Sequence, residues 1–221
     1  MVTAATTNQR SYGQGCNIAR TLDLVGERWT LLLVRELLTG PRSYGQLEQA
    51  LPGIGTNLLA TRLKRLESDG LIEREKVPGM RKRLMYRVTE RGQMLEPVLV
   101  EMARFGAMAD LDRGPDDYAR PAWAVLSSKA SFNADLAAGL NERYEFQVDD
   151  EVFYLGVSDG MPDNGYGPAG EPVVTARMDS GTFNRIQAGT MKMAQGVWTE
   201  EIEIIDGPAA ALDRCEQIFG M

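Results

Sequence analysis

Apolar residues recur at helical spacing through the first half of the chain, most clearly over residues 57–68, where a helix is predicted. Three leucines would share one side of this helix: Leu59, Leu63 and Leu66. A turn with two glycines precedes it at residues 51–55, and Thr56 is predicted to cap it, because a threonine oxygen accepts hydrogen bonds from backbone N–H groups. Gly70 is predicted to end the helix, since glycine adopts the left-handed conformation of a C-cap at no steric cost.

Other periodic segments flank this helix. Upstream, helices are predicted over residues 16–25, 27–38 and 44–50. Downstream, two runs typical of β-strands, residues 71–77 and 84–89, enclose a Pro-Gly pair, which predicts a hairpin with a cationic tip. These elements together predict a winged helix-turn-helix.

The second half mixes helical and strand patterns, so we predict an α+β fold for the chain. A helix with a broad apolar face is predicted over residues 93–111, and part of that face is interpreted as a dimer interface. The further predictions are helices at 123–140, 179–188, 190–195 and 208–219, strands at 144–148, 152–157, 172–178 and 200–205, and a loop at 158–170. The helix at 179–188 is predicted to be capped by Asp179 or Ser180. The predicted divisions are a flexible arm (1–15), a winged helix domain (16–112), a linker (113–121) and an α+β domain (122–221).

Composition narrows the classes of function. The chain has no histidine, which disfavours histidine-based catalytic triads and most catalytic zinc sites. We therefore expect no enzyme, no metal and no other cofactor. The two cysteines, Cys16 and Cys215, are too few and too far apart for a disulfide framework. No apolar run is long enough to span a membrane and no signal-peptide pattern begins the chain, so a cytoplasmic protein without a membrane partner is expected.

The net charge of −7 is distributed unevenly. Residues 1–112 hold 16 basic and 13 acidic side chains, whereas residues 113–221 hold 8 basic and 18 acidic ones. Binding of nucleic acid depends on a local cationic surface rather than on the charge of the whole chain. The asymmetry predicts two domains with different partners, and double-stranded DNA is the predicted partner of the first.

Polar and cationic residues of the predicted helix-turn-helix and hairpin are the candidate DNA contacts. They are Ser43, Tyr44, Thr56, Asn57, Thr61, Arg62, Lys64, Arg65, Arg81, Lys82 and Arg83. Asn57 and Thr61 are suited to base edges, and the cations to phosphates. The alternative is an ordinary solvated helix face and a soluble hairpin tip. Three consecutive cations disfavour it, because they repel one another without an anionic partner. Ser43 suits either a phosphate contact or an N-cap.

Six ordered segments of the first half resemble a known family: CNIA from residue 16, LVGERWT from 24, RSYGQL from 42, LATRLKRL from 59, GLI from 70 and YRVTERG from 86. They are similar to the HxlR-type transcriptional regulators, a branch of the winged helix proteins related to MarR. The resemblance covers residues 16–111. It implies a homodimer, joined through N-terminal and C-terminal helices, that binds a pseudo-palindromic operator with the fourth helix and the wing. Phe105 departs from the pattern, since the family usually has tryptophan near the end of its last helix.

Three segments of the second half resemble the sterol carrier protein-like domain: ARMDSGTF from residue 176, AGT from 188 and IDGPAAAL from 205. This likeness covers residues 122–220 and implies an apolar tunnel that would hold a small apolar effector, or an added dimer surface. The candidate lining residues are Trp123, Phe132, Leu136, Phe153, Leu155, Phe183, Met191 and Trp198. An ordinary hydrophobic core would produce the same pattern, and periodicity does not separate the two.

Cys16 begins the first predicted helix, where the helix dipole lowers the pKa of a thiol. It is a candidate redox thiol, with a buried inert thiol as the alternative. The sequence as a whole predicts a homodimeric, DNA-binding transcriptional regulator. The alternative function is a lipid-binding carrier or enzyme that uses the winged helix as a protein-docking module, a role that would not require a cationic wing.

Overall fold

The leucine stripe of the fourth predicted helix is buried. In the computed structural model Leu59, Leu63 and Leu66 are each at most 2% exposed. The structure describes residues 11–76, 84–109 and 119–221. The chain divides into two compact units, Met1–Leu95 and Glu96–Met221.

The first unit contains helices followed by a hairpin. Its elements are α1 (Asn17–Val25), α2 (Thr30–Leu38), α3 (Tyr44–Ala50), α4 (Thr56–Ser68), β1 (Ile72–Lys76), β2 (Leu84–Val88) and α5 (Glu90–Gln93). Strands β1 and β2 pair antiparallel, with Ile72 opposite Val88 and Lys76 opposite Leu84. This order of helices and hairpin is a winged helix-turn-helix, as the sequence predicted.

The predicted start of α2 was wrong by three residues. The helix was expected from residue 27 but begins at Thr30, because Trp29 has a left-handed backbone with φ of +77°. Gly26 ends α1 just before, through a backbone hydrogen bond from its N–H to the Leu22 carbonyl at 2.8 Å. Residues 27–29 therefore form a short connection between two helices.

The base of the hairpin is joined to the segment between α2 and α3. Arg42 and Tyr86 exchange both backbone hydrogen bonds, at 3.0 and 2.8 Å. The Arg42 side chain is buried and donates to the Glu36 carbonyl and to Thr39 Oγ1. A polar network therefore connects the β1–β2 hairpin, which is the wing of this fold, with the end of α2.

The second unit begins with α6 (Glu96–Met108), which lies within the helix predicted at 93–111 and starts three residues later than predicted. The described chain resumes at residue 119 with two 3₁₀ turns (Pro121–Trp123 and Ser128–Ala130), α7 (Ala124–Ser127) and α8 (Ala134–Ala137). The strands are β3 (Glu142–Val148), β4 (Glu151–Ser158), β5 (Met161–Pro162), β6 (Gly165–Tyr166), β7 (Val174–Met178) and β8 (Glu203–Asp206). The remaining helices are α9 (Ser180–Gln187), α10 (Met193–Trp198) and α11 (Ala210–Phe219).

One mixed sheet organises this unit, with strand order β5-β4-β3-β7-β8 and β6 also paired to β4. Strands β3 and β7 are parallel, and the other pairs are antiparallel. The rings of Phe146, Phe153 and Phe183 pack together, with centroids 5.4–6.4 Å apart. Their contacts join the sheet to α9 in a continuous apolar core.

Two predictions for this unit were wrong. The long helix at 123–140 is divided, because the helical run that includes α7 ends at Ala130 and Asn133, with an extended backbone, caps the separate helix α8. The loop at 158–170 contains β5 and β6. Asp159 and Gly160 form the turn between β4 and β5, with φ of +50° and +73°, values typical of a tight hairpin turn.

The boundaries of the other elements of this unit differ less from the predicted ones. Of the two predicted caps of α9, Asp179 and Ser180, the structure has Asp179, whose carboxylate accepts from the Thr182 N–H at 2.6 Å. Helix α10 and strand β8 each begin three residues later than predicted. The predicted arm and linker lie largely outside the described residues, so those boundaries stay predictions.

Candidate nucleic-acid interface

Helix α4 is positioned by the turn that precedes it. Leu51 and Ile54 anchor this turn by their burial, and Gly53 between them has a φ of +92°, which favours glycine. Gly55 occupies the N-cap with an extended backbone, so Thr56 is the first helical residue and not the cap that the sequence predicted. Gly70, with φ of +68°, follows the C-cap as expected.

The face of α4 opposite the leucine stripe is exposed. Thr56, Asn57, Thr61 and Lys64 all lie on this outer face. Thr61 Oγ1 donates to the Asn57 carbonyl at 2.8 Å, one turn earlier. The side chains of Asn57 and Lys64 have no hydrogen-bond or ion-pair partner within the described part of the chain. An amide and an ammonium group are therefore available to an external ligand.

Two of the predicted contact residues lie at the start of α3, where Ser43 caps the helix and Tyr44 joins it to the start of α4. Ser43 forms a capping box with Gln46: its hydroxyl accepts from the Gln46 N–H, and the Gln46 side chain accepts from the Ser43 N–H at 2.8 Å. Tyr44 donates its hydroxyl to the Thr56 carbonyl at 2.8 Å. Desolvation, followed by the nearby Glu48 and Tyr86, raises the pKa of Tyr44, so its phenol keeps the proton for this bond.

Most described cations of the region have acidic neighbours within the protein. On α4, Arg62 pairs with Glu27 at 2.5 Å and Arg65 with Asp69 at 2.6 Å. Because an ion pair one turn apart on a helix surface contributes only about 0.3–0.5 kcal/mol, Arg65 can exchange Asp69 for a phosphate at small cost. The structure nevertheless offers a less cationic α4 than the sequence alone indicated.

The wing shows the same pairing. Arg87 reaches Glu73, its cross-strand partner, at 2.5 Å and Glu75 at 3.0 Å, while Arg74 pairs with Glu67 of α4 at 2.7 Å. The predicted contacts Arg81, Lys82 and Arg83 belong to residues 77–83, outside the described residues. They remain predictions.

Cys16 is exposed at the N-cap of α1. The backbone N–H groups of Ala19 and then Ile18 lower the pKa of its thiol, because they stabilise the thiolate. Cys215 is fully buried, and desolvation raises the pKa of its thiol well above the ordinary value. The two thiols therefore differ strongly in expected reactivity.

The candidate effector residues of the second unit do not share one environment. Phe153, Leu155, Phe183 and Met191 belong to the packed core. Trp123 and Phe132 are half-buried, and Phe132 packs on Phe219 with ring centroids 5.5 Å apart. Leu136 and Trp198 are exposed, the latter at 84%. The structure thus brings only part of the set together.

Sequence reasoning missed two polar contacts near the interface. Glu36 is fully buried next to Arg35 and Arg42, and Arg62 is held by the connection at residues 27–29. The signal for the first was a glutamate at a buried position of the apolar helix α2. The second had no local signal, since its partners are 35 residues apart.

Membrane-spanning and metal-binding features are missing from the part of the chain that the structure describes. No helix within the described ranges is both long and apolar enough to cross a membrane. Among residues 11–76, 84–109 and 119–221, no three or more acidic or cysteine side chains are grouped as metal ligands.

The sequence profile described as HxlR-like helix-turn-helix matches residues 24–112. An uncharacterized HTH-type transcriptional regulator of Synechocystis sp., sll1512, is 41% identical over 95 residues, which are 43% of this chain and 70% of that protein. The HTH-type transcriptional regulator YodB of Bacillus subtilis is 35% identical over 79 residues, 36% of this chain and 70% of YodB. The solved reduced form of YodB aligns at 32% identity with a TM-score of 0.38 and covers 47% of this chain and 100% of that chain.

Proposed function

Because this chain belongs to the HxlR-like helix-turn-helix family of DNA-binding transcriptional regulators, we propose that it binds a pseudo-palindromic operator as a homodimer. Each subunit inserts α4 into the major groove, and the wing tip contacts the backbone or the minor groove. The two half-sites lie about one helical turn, 10–10.5 base pairs, apart.

The observation that carries this proposal is the division of α4 into two faces. Leu59, Leu63 and Leu66 anchor the helix in the core, while Asn57 and Lys64 project from its other side with no partner in the described chain. An asparagine amide reads adenine edges in the major groove, and a lysine neutralises phosphate or reads guanine. Such groups on a rigid helix are suited to sequence-selective binding.

The dimer part of the proposal rests on α6. Its exposed apolar side chains include Met102 at 51%, Phe105 at 69% and Met108 at 81%, and Val98 continues the same face. The helix is held from behind within its own unit, because Lys129 pairs with Glu96 and Arg104 donates to the Ala130 carbonyl at 3.0 Å. A supported helix with a contiguous apolar face is typical of an interface between subunits.

The effector part of the proposal assigns the second unit a sterol carrier protein-like role. A small apolar molecule would enter at the half-buried Trp123 and Phe132, because displacing the closely packed rings of Phe146, Phe153 and Phe183 would disrupt the core. Binding there would change DNA affinity if it favours one arrangement of the dimer over another. Mass spectrometry of small molecules that co-purify with the native protein tests this part directly.

A titration with labelled DNA duplexes from the region upstream of the protein's own gene tests the proposed DNA binding. Fluorescence anisotropy should show a salt-sensitive complex that a scrambled duplex of equal length and composition does not displace. Equal displacement by the scrambled duplex would count against an operator-binding regulator, since sequence-independent phosphate contacts alone would explain it.

A further inference from the structure

The connection between α1 and α2 contacts α4 at one end and the turn before α4 at the other. Residues 27–29 lie between Gly26, which ends α1, and Thr30, which begins α2. The connection is therefore anchored on both sides by helices, and its position is determined by them. A side chain of α4 that binds to residues 27–29 is therefore held in place relative to α1 and α2.

The α4 contact is made by Arg62. Its Nη2 donates to Glu27 Oε2 at 2.5 Å and its Nε to the Arg28 carbonyl at 3.3 Å. The Arg62 side chain is only 17% exposed as a result. Lys64, two residues further along the same helix, is exposed.

The turn contact is made by Trp29. A methyl group built on Gly53 would lie 3.8 Å from the indole ring, so this ring lies directly over the glycine turn. The guanidinium of Arg28 lies 5.2 Å from the centroid of the same ring, a distance typical of a cation–π contact. Trp29 adopts its left-handed backbone here, which a bulky residue does only when the surroundings compensate for the strain.

From these contacts we infer that Glu27 is a positioning residue for DNA binding: it holds Arg62, and through Arg62 it fixes α4 relative to α2. Arg62 then acts inside the protein, not on a phosphate. The inference rests on the proposed function, because α4 is the helix whose placement matters for an operator. It assigns Arg62 a role different from the contact that its sequence position predicted.

The charge and shape of Arg62 favour this role. A planar guanidinium reaches two acceptors in different directions, here a carboxylate and a carbonyl, whereas the ammonium of a lysine is a point charge. Nη2 and Nε of Arg62 are used on Glu27 and on the Arg28 carbonyl, which accounts for the low exposure of the side chain. Lys64 is the matched control, since it is a cation of the same helix without such partners in the described chain.

The test measures operator affinity against salt for Arg62→Gln, Arg62→Lys, Glu27→Gln, the Glu27→Gln/Arg62→Gln double variant and Lys64→Gln. A positioning pair predicts that Arg62→Gln and Glu27→Gln each weaken binding by about fivefold for each subunit, the range of a partly exposed ion pair. The double variant should be no weaker than either single one, because both remove the same interaction. Arg62→Lys should stay weaker than wild type.

The salt slope separates positioning from direct DNA binding. All Arg62 and Glu27 variants should keep the wild-type slope of log K against log salt, while Lys64→Gln should reduce it by about 0.9 for each phosphate that is no longer neutralised. A reduced slope in Arg62→Gln with wild-type affinity in Arg62→Lys would overturn the inference and restore a phosphate contact. Tighter binding by Glu27→Gln would overturn it too, since Glu27 would then be withholding Arg62 from DNA.

Failure of the inference and failure of the proposed function give different results. If wild type forms no sequence-selective complex, the proposed function fails and the positioning role fails with it. If wild type binds selectively but the Arg62 and Glu27 effects are additive, only the inference fails. Circular dichroism melts of every variant identify loss of folding, and the mild Glu27→Gln change at an exposed carboxylate keeps the cycle measurable.

Discussion

Arg42 Nε lies 3.8 Å from Oε2 of Glu36, and both residues are buried. The same nitrogen donates to the Glu36 carbonyl, and the Arg42 backbone pairs with Tyr86 of the wing. Glu36 also pairs with Arg35 at 2.8 Å, so loss of Arg42 would remove part of the compensation of a buried carboxylate, which is costly. This pair therefore couples the end of α2 to the base of the hairpin.

Replacing Arg42 with methionine should lower the free energy of unfolding of the first unit by about 2 kcal/mol, within the range for leaving buried hydrogen-bonding groups unpaired, because Arg35 still pairs with Glu36 at 2.8 Å. Urea denaturation followed by circular dichroism measures the change. Arg87→Met is the matched control, since its pairs with Glu73 and Glu75 are about half exposed and should contribute at most about 1 kcal/mol. Equal losses of unfolding free energy in the two variants would show that the Arg42–Glu36 pair stabilises the fold no more than a surface pair does.

Asn57→Ala should relax sequence preference without changing salt dependence. A bidentate contact between an amide and adenine discriminates by about 1–3 kcal/mol against the wrong base, so the variant should lose that preference at one position of each half-site. Binding to a panel of single-base operator variants measures this. If all variants of the operator keep their wild-type order of affinity, Asn57 does not read a base.

The triple substitution Arg81→Ala, Lys82→Ala and Arg83→Ala should change the salt dependence of binding and leave the sequence preference unchanged. It should weaken binding to the operator and to the scrambled duplex by the same factor. It should also reduce the slope of log K against log salt by about 0.9 for each phosphate contact that is lost. Anisotropy titrations of both duplexes across a salt series measure the two quantities. A change confined to the operator would show instead that the wing tip reads sequence.

Met102→Glu should shift the protein from dimer to monomer, because a carboxylate in the apolar face of α6 would be desolvated at the interface. Light scattering after gel filtration measures the mass. Met161→Glu is the matched control, since Met161 of β5 is 65% exposed and the same change there should leave the mass unaltered. A Met102→Glu protein that keeps the wild-type mass would place the interface elsewhere.

Cys16 should react with iodoacetamide at a lower pH than an ordinary cysteine. Its pKa is lowered by the N–H groups of Ala19 and Ile18, so a larger fraction is thiolate at neutral pH. Cys215 serves as an internal control, because burial raises its pKa and blocks access. Peptide mass mapping across a pH series follows both thiols, and equal labelling of the two would contradict this account.

Local patterns predicted the elements whose stabilisation is local. The leucine spacing of α4, the span of α3 and the cap of α9 by Asp179 all follow from neighbouring residues. The turn at Asp159-Gly160 carried a hairpin signal as well, but the glycine and proline around it favoured a loop interpretation. That error came from weighing composition above turn chemistry.

The remaining differences come from contacts between distant residues. Trp29 leaves the helical region where its ring packs over Gly53, and the helix predicted at 27–38 is shortened accordingly. The cations of α4 were predicted as a DNA surface, yet Glu27 lies 35 residues from Arg62 in sequence and only the fold brings them together. Periodicity reports which face is exposed, but not which charges are already paired.

Hydroxyl-radical footprinting of the DNA upstream of the gene shows whether two α4 helices of a dimer bind one duplex. We expect two protected patches on one side of the duplex, centred about 10–10.5 base pairs apart, and a weaker pattern with Asn57→Ala. A single protected patch, or uniform protection that scrambled DNA reproduces, would contradict this expectation.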